Sequence, residues 1–435
     1  MFFRAQNLGP LRDAEVDLSK DLIVLAGPNN SGKTYLAWSV YGLHRARPGH
    51  TNVVLDRWVR QLVESPDHAI DLGELFAHGG AELLESIAAD YKSKLHLCFA
   101  TEGTHFAAAR VSLRGGELRG TRPGITISAD ALDVRCKPLW PLLRVDSVGA
   151  KIRESLEWML GLQLRDVVLF KLFPRCTLFP AERVAVNIFA KELAIKRTEL
   201  VDEMVDADLD GHVDAPMDLV RRKAGRYPWP IRDSLKTAND LANLSKEQGP
   251  LAHLADEIET EVLGGNIVVS EYGEMLFSPR GMPDTRLQMH LTASIVKSLS
   301  SLVFYFRHLA EPGDFLILDE PELNLHPDNQ RKITRLLAKA VNLGFKVMIS
   351  THSDWVIREL CHLVMLSKLP EGEAEKLNYD PQSALPPDKL GVYLFNDHTA
   401  VTVPVDDTGF SIKTIDDVVN QYNADDQRFY ARLAE

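Results

Sequence analysis

The stretch Gly27-Pro28-Asn29-Asn30-Ser31-Gly32-Lys33-Thr34 follows directly on the apolar run Leu22-Ile23-Val24-Leu25-Ala26. No other feature constrains the fold as tightly, because this spacing of Gly, Gly, Lys and Thr needs a buried strand, a tight loop and a helix in that order. Residues 35–44 have the composition of that helix. The glycines let successive backbone N–H groups point into one concavity, and the helix N-terminus adds its positive dipole end. Such a loop wraps the phosphates of a nucleotide. Gly27, Asn29, Asn30, Ser31 and Gly32 form the cradle, Lys33 reaches the β- and γ-phosphates, and the Thr34 hydroxyl ligates Mg²⁺. A chance glycine-rich turn is the alternative, and the flanking strand and helix patterns speak against it. The expectation is a site for ATP or GTP.

A second buried-strand pattern, Phe315-Leu316-Ile317-Leu318, ends in Asp319-Glu320 and is followed by Pro321. A carboxylate at the carboxyl end of a parallel strand lies beside a phosphate loop, where Asp319 can hold Mg²⁺ through water. Glu320 can then orient and polarise an attacking water. A strand ending in solvated acids is the plainer alternative. A third run, Phe345-Lys346-Val347-Met348-Ile349-Ser350, delivers Thr351-His352-Ser353-Asp354. His352 is either a capping residue at a strand end or a contact for the γ-phosphate.

In this order, the three motifs make the chain resemble an ATP-binding-cassette-type ATPase. The branch is the one that holds the structural-maintenance-of-chromosomes heads, RecF and the OLD nucleases. "GPNNSGKT", "FLILDEPELNLHPDNQ" and "VMISTHSD" resemble its phosphate loop, its Walker B strand with D-loop, and its switch-histidine loop. The resemblance implies Glu320 and His352 as catalytic residues and Thr34 and Asp319 as Mg²⁺ ligands. It also implies a signature helix before Walker B, whose N-terminus binds the γ-phosphate held by another subunit. The matching segment here is Leu291-Thr292-Ala293-Ser294-Ile295-Val296-Lys297-Ser298, with Thr292 and Ser294 as candidate phosphate donors. It departs from L-S-G-G-Q, since Thr292 replaces the serine and no glycine follows. An ordinary N-capped helix is the alternative. The departure bears on the catalytic vigour of a dimer more than on nucleotide binding.

The resemblance extends to the first 25 residues, to "LFPAER" at residues 178–183 and to the tail from residue 390. It is closest to stand-alone bacterial ATPases of the OLD-like group, as in phage-defence systems such as PARIS and Septu. It implies a homodimer or higher homo-oligomer working with a separately encoded effector, a nuclease or a toxin. DNA remains a possible partner.

Composition bounds the alternatives. At 435 residues, with 45% hydrophobic and 25% charged side chains, the chain can bury a large core with room for two or three substructures. No apolar stretch reaches membrane-spanning length and the start lacks a signal-peptide pattern, so no membrane partner and a cytoplasmic location are expected. Four scattered cysteines, Cys98, Cys136, Cys176 and Cys361, have no metal-site spacing. A net charge of −12 argues against a globally basic DNA-binding surface. Two local basic clusters, residues 191–197 and 221–232, are either solvated faces or a phosphate track with Tyr227 and Trp229 interleaved.

The expected fold is α/β: a P-loop head built from a mixed β layer and a parallel sheet with flanking helices, interrupted by a helical insertion. Residues 1–183 form the first part of the head and 184–263 the insertion. Residues 264–435 form the second part of the head. Between residues 91 and 135 several short strands are predicted, helix is predicted over 144–172 and 184–205, and further helices near 232–246 and 251–263. No heptad series is long enough for an extended coiled coil. Two function classes compete. One is a nucleotide-dependent sensor-motor, in phage defence or in RecF-like DNA maintenance. The other is an ATPase joined to an OLD-type nuclease, for which the roughly 80 residues after His352 leave too little chain.

Overall fold

The computed structural model describes residues 1–46, 53–64, 72–116, 122–127, 131–137, 141–146, 166, 168–189, 227–282 and 284–433. The strands, in chain order, begin with β1 (Phe2–Leu8), β2 (Leu11–Asp17), β3 (Leu22–Ala26) and β4 (Arg110–Arg114). They continue with β5 (Arg122–Ile127), β6 (Ala131–Lys137), β7 (Pro141–Asp146) and β8 (Cys176–Phe179). Next come β9 (Gly265–Val269), β10 (Met275–Pro279) and β11 (Leu287–Gln288). The last are β12 (Phe315–Asp319), β13 (Lys346–Thr351), β14 (Leu390–Asn396) and β15 (Thr399–Val403).

The helices that matter are α1 (Lys33–Ala46), α2 (Val53–Glu64), α3 (Leu72–Phe99), α4 (Trp229–Asn239) and α5 (Ala252–Ile258). They are followed by α6 (Ser294–Phe304), α7 (Pro327–Asn342), α8 (Asp354–Leu366) and α9 (Lys413–Leu433).

One nine-stranded sheet, ordered β4-β1-β2-β15-β14-β3-β13-β12-β8, organises the molecule. The mixed β layer and the parallel sheet expected from the sequence are therefore continuous. Strands β14, β3, β13, β12 and β8 run parallel, while β4, β1 and β2 pair antiparallel. The two parts meet where β15 touches β2 at Thr399 and Asp13.

The parallel strands are apolar on both faces because helices cover both. Ile23, Leu25, Phe315, Ile317 and Met348 point into a core shared with α1 and α3. Leu22, Val24, Leu316, Leu318, Val347 and Ile349 point into a second core with α6, α7 and α8. Burying each such side chain contributes about 1.5–3 kcal/mol, which fixes the register and so the strand ends that carry the site. Among the described residues no helix is long and apolar enough to cross a membrane.

Several local expectations need correction. Residues 91–99 end the long helix α3 and form no strand. Residues 144–146 belong to β7, the last strand of the β5-β6-β7 meander, and form no helix. The rest of 144–172 is helical where described, near its end, and residues 147–165 lie outside the described residues. The helix expected from 184 is seen over 183–189, while 190–226, with both its continuation and most of the basic clusters, lie outside the described residues. The helix near 251–263 is α5, which continues into a π-helical turn over Glu259–Leu263.

Candidate functional site

The order β3-β13-β12 puts three strand ends side by side. β3 runs into the phosphate loop, β12 ends in Asp319, and β13 ends between them, with Ser350 paired to Leu25 on one side and to Asp319 on the other. Residues almost three hundred positions apart in the chain thereby share one edge.

The loop needs its glycines. Gly27 has φ 141° and Gly32 φ 99°, both left-handed-side values that favour glycine. A Cβ on Gly27 would run into the Phe395 carbonyl of β14, and one on Gly32 into the Leu11 side chain of β2. Asn30, at φ 60°, takes the left-handed conformation that Asn tolerates best.

Helix α1 starts at Lys33, whose buried Nζ donates to the Gly27 carbonyl at 2.9 Å and the Pro28 carbonyl at 2.7 Å. Burial lowers the Lys33 pKa, and the negative charges of Glu320, Asp319 and Glu322 oppose that shift. Thr34 Oγ1 donates to Asp319 Oδ1 at 3.2 Å, and the Ser350 hydroxyl donates to the same oxygen. Asp319 Oδ2 is buried and has no hydrogen-bond partner among the described residues; the same holds for Ser31 Oγ and Glu322 Oε2. A buried carboxylate oxygen left without a partner costs free energy that a cation would relieve. The Thr34 hydroxyl beside it completes the donor set a Mg²⁺ ion takes from protein, one or two oxygen ligands with phosphates and water filling the rest. The residues present fit that ion.

Glu320 follows β12 with φ 52°, its N–H held by the Ser350 carbonyl at 3.1 Å. Its pKa is raised, first by burial and then by Asp319 and Glu322, with His352 and Lys33 pulling the other way. His352 sits just beyond β13, half-exposed, with Nδ1 3.8 Å from Glu320 Oε1 and 3.6 Å from Glu322 Oε1. Glu322 had no assigned role in the sequence. It is buried and accepts from Thr351 Oγ1 at 2.7 Å and from the His352 N–H at 3.0 Å, so it fixes the loop that presents His352. Its signal was present in the alternation Asp319-Glu320-Pro321-Glu322, where the turn after Pro321 brings the third acid back under the strand end.

Thr292 and Ser294 are not gathered into this cluster. Thr292 is buried and its hydroxyl donates to the Met289 carbonyl at 2.7 Å. Ser294 opens α6 and is exposed, and the N-cap position belongs to Ala293, which makes no side-chain cap. Of the two candidates, only Ser294 has a hydroxyl proton that no described partner takes up.

Residues 203–357 match the family model described as AAA ATPase domain. That span holds Asp319, Glu320 and His352, while the phosphate loop lies outside it and meets it through the sheet and the Thr34–Asp319 bond. No curated protein sequence matches the chain. Among solved structures the chain is similar to an SMC head domain from Thermotoga maritima, at 11% identity and TM-score 0.31, over 93% of this chain and 98% of that one. It is also similar to an SMC head domain with an extended coiled coil bound to the C-terminal domain of ScpA, from Pyrococcus furiosus. There the identity is 10% and the TM-score 0.32, over 97% of this chain and 98% of that one. Likenesses this weak leave the site to be judged on its own residues.

Proposed function

We propose that the chain binds ATP with Mg²⁺ and hydrolyses it. The observation that carries this is the contact between Thr34, at the end of the phosphate loop, and Asp319, whose second carboxylate oxygen is buried and unpartnered. Backbone N–H groups of residues 29–34 and the α1 N-terminus bind phosphate oxygens, and Lys33 leaves its loop carbonyls to do the same. Thr34 and Asp319 hold the Mg²⁺, which supplies charge neutralisation on the phosphates when bound. Glu320 accepts the proton of the attacking water, helped by a pKa shifted upward. His352 donates to the γ-phosphate, with its backbone fixed by Glu322. Any nucleotide-driven homodimer, with Ser294 and the α6 N-terminus reaching a neighbour's phosphate, is supported by the motif resemblance. So are a cytoplasmic sensor-motor role in phage defence and a separate effector.

Calorimetric titration with Mg²⁺-ATP tests the site. Lys33→Ala removes a charged contact worth roughly 1.5–3 kcal/mol, so affinity should fall at least about tenfold. Wild-type affinity in Lys33→Ala would overturn the assignment.

A further inference from the structure

Arg183, the last residue of the "LFPAER" stretch, is 3% exposed and, among the described residues, hydrogen-bonds the site at the main-chain carbonyls of Asp319 and Glu320. Its guanidinium draws three separate segments together. Nη1 donates to the Asp319 carbonyl at 2.8 Å and Nη2 to the Glu320 carbonyl at 2.8 Å. Nε donates to the Ser298 carbonyl, inside α6, at 3.1 Å, and Nη1 also reaches the Pro180 carbonyl at 3.3 Å.

Two asparagines reinforce the same seam. Asn324, which follows the acids with φ 63°, donates to Ser298 Oγ at 3.1 Å. Asn187 donates to the Lys297 carbonyl at 2.7 Å and to Ser300 Oγ at 3.1 Å.

Glu320 adopts a left-handed backbone conformation that is unfavourable for a residue with a side chain, and such a conformation persists only where the surroundings over-determine it. The Ser350 carbonyl and hydroxyl hold its N–H, and the Leu323 N–H within the turn and Arg183 from outside it hold its carbonyl. Of these bonds, the one from Arg183 ties the direction of the main chain, and hence of the Glu320 carboxylate, to α6. A planar fork with five N–H groups can bridge carbonyls of three segments at once, whereas a lysine ammonium on a single point cannot.

We propose that Arg183 is a positioning residue that locks the acid-bearing loop 319–324 to helix α6, so that Glu320 is aimed for hydrolysis only while α6 is seated against it. This rests on the ATPase function proposed above. It adds that a displacement at the α6 N-terminus, from any ligand or neighbour, is felt at Glu320 through this seam of Arg183 and Asn324 on Ser298.

The test measures mant-ATP affinity and kcat of phosphate release for wild type, Arg183→Lys, Glu320→Gln and the double variant. Arg183→Lys should lower kcat about tenfold or more with Kd within about threefold of wild type, and should add nothing in the Glu320→Gln background, since both act through one carboxylate. Ser298→Ala, which removes only the Asn324 acceptor and spares the buried cation, should lower kcat several-fold at unchanged Kd. It serves if Arg183→Lys does not fold. Additive losses in the double variant, a Kd that weakens as much as kcat falls, or wild-type kcat in Ser298→Ala would overturn the proposal while leaving the ATPase function standing. A wild-type protein that binds mant-ATP but releases no phosphate would overturn both.

Discussion

At the scale of single residues the site is a cluster of carboxylates whose charges are set against one another. Asp319 is tied to Thr34 and Ser350, Glu322 to the His352 loop, and Glu320 is left facing His352 at the longer distance of 3.8 Å. Burial and the two neighbouring acids hold the Glu320 carboxyl above the ordinary range, so it takes up its proton at a higher pH than a free glutamate. The sign follows directly. Hydrolysis that needs the Glu320 carboxylate is complete above that raised pKa and is lost as pH falls through it. Glu322→Gln keeps an oxygen for Thr351 and the His352 N–H but removes a negative charge that raises the Glu320 pKa. Its kcat–pH profile should therefore show an acid limb displaced to lower pH. An acid limb that stays put or moves upward would show that Glu322 does not act on Glu320.

At this scale the sequence singled out Lys33, Thr34, Asp319, Glu320 and His352, because each lies at the end of an apolar run or in the loop and helix that follow one. Glu322 and Arg183 were not assigned, since one acts by folding back under a turn and the other reaches carbonyls more than a hundred residues away.

At the scale of elements, the three apolar runs 22–26, 315–318 and 345–350 could be read as buried strands from their length and lack of polar alternation. Their adjacency, with β13 in the middle, could not, since strand order is set by which helices cross which face. Helix α3 shows the opposite failure. Its last turns, Lys94-Leu95-His96-Leu97-Cys98-Phe99, alternate polar and apolar residues as a half-buried strand does, and Gly79-Gly80 interrupts the helical pattern before them. Tertiary packing decides the outcome: Tyr91, Leu95 and Cys98 are all buried, and Tyr91 and Cys98 pack against Gly42 in α1.

The same closeness constrains the phosphate loop. Gly27→Ala combines φ 141° with a Cβ driven into the Phe395 carbonyl, so it should destabilise the fold by at least about 2 kcal/mol in denaturant melts. A variant as stable as wild type would mean that the loop is not seated against β14 as described.

At the scale of the whole molecule, the nine-stranded sheet joins an antiparallel wing, β4-β1-β2, to the parallel block that bears the site. The block carries every residue of the proposed chemistry except Ser294, which opens a helix on the second core. The motif resemblance assigns Ser294 to the phosphate of a neighbouring copy, and this assignment predicts a nucleotide-dependent oligomer. Glu320→Gln, able to hold ATP without consuming it, should increase the dimer or higher oligomer fraction in sedimentation runs with Mg²⁺-ATP. A species that remains monomeric at saturating nucleotide would remove the role given to Ser294.

The central proposal is that Glu320 performs hydrolysis at a site shared by two distant stretches of chain. Steady-state phosphate release from Mg²⁺-ATP, measured side by side for wild type and Glu320→Gln at nucleotide concentrations that saturate both, addresses this directly. The amide keeps the shape of the carboxylate and cannot accept a proton, so turnover should fall by about 10² or more while ATP binding persists. Equal turnover in the two proteins would contradict the account.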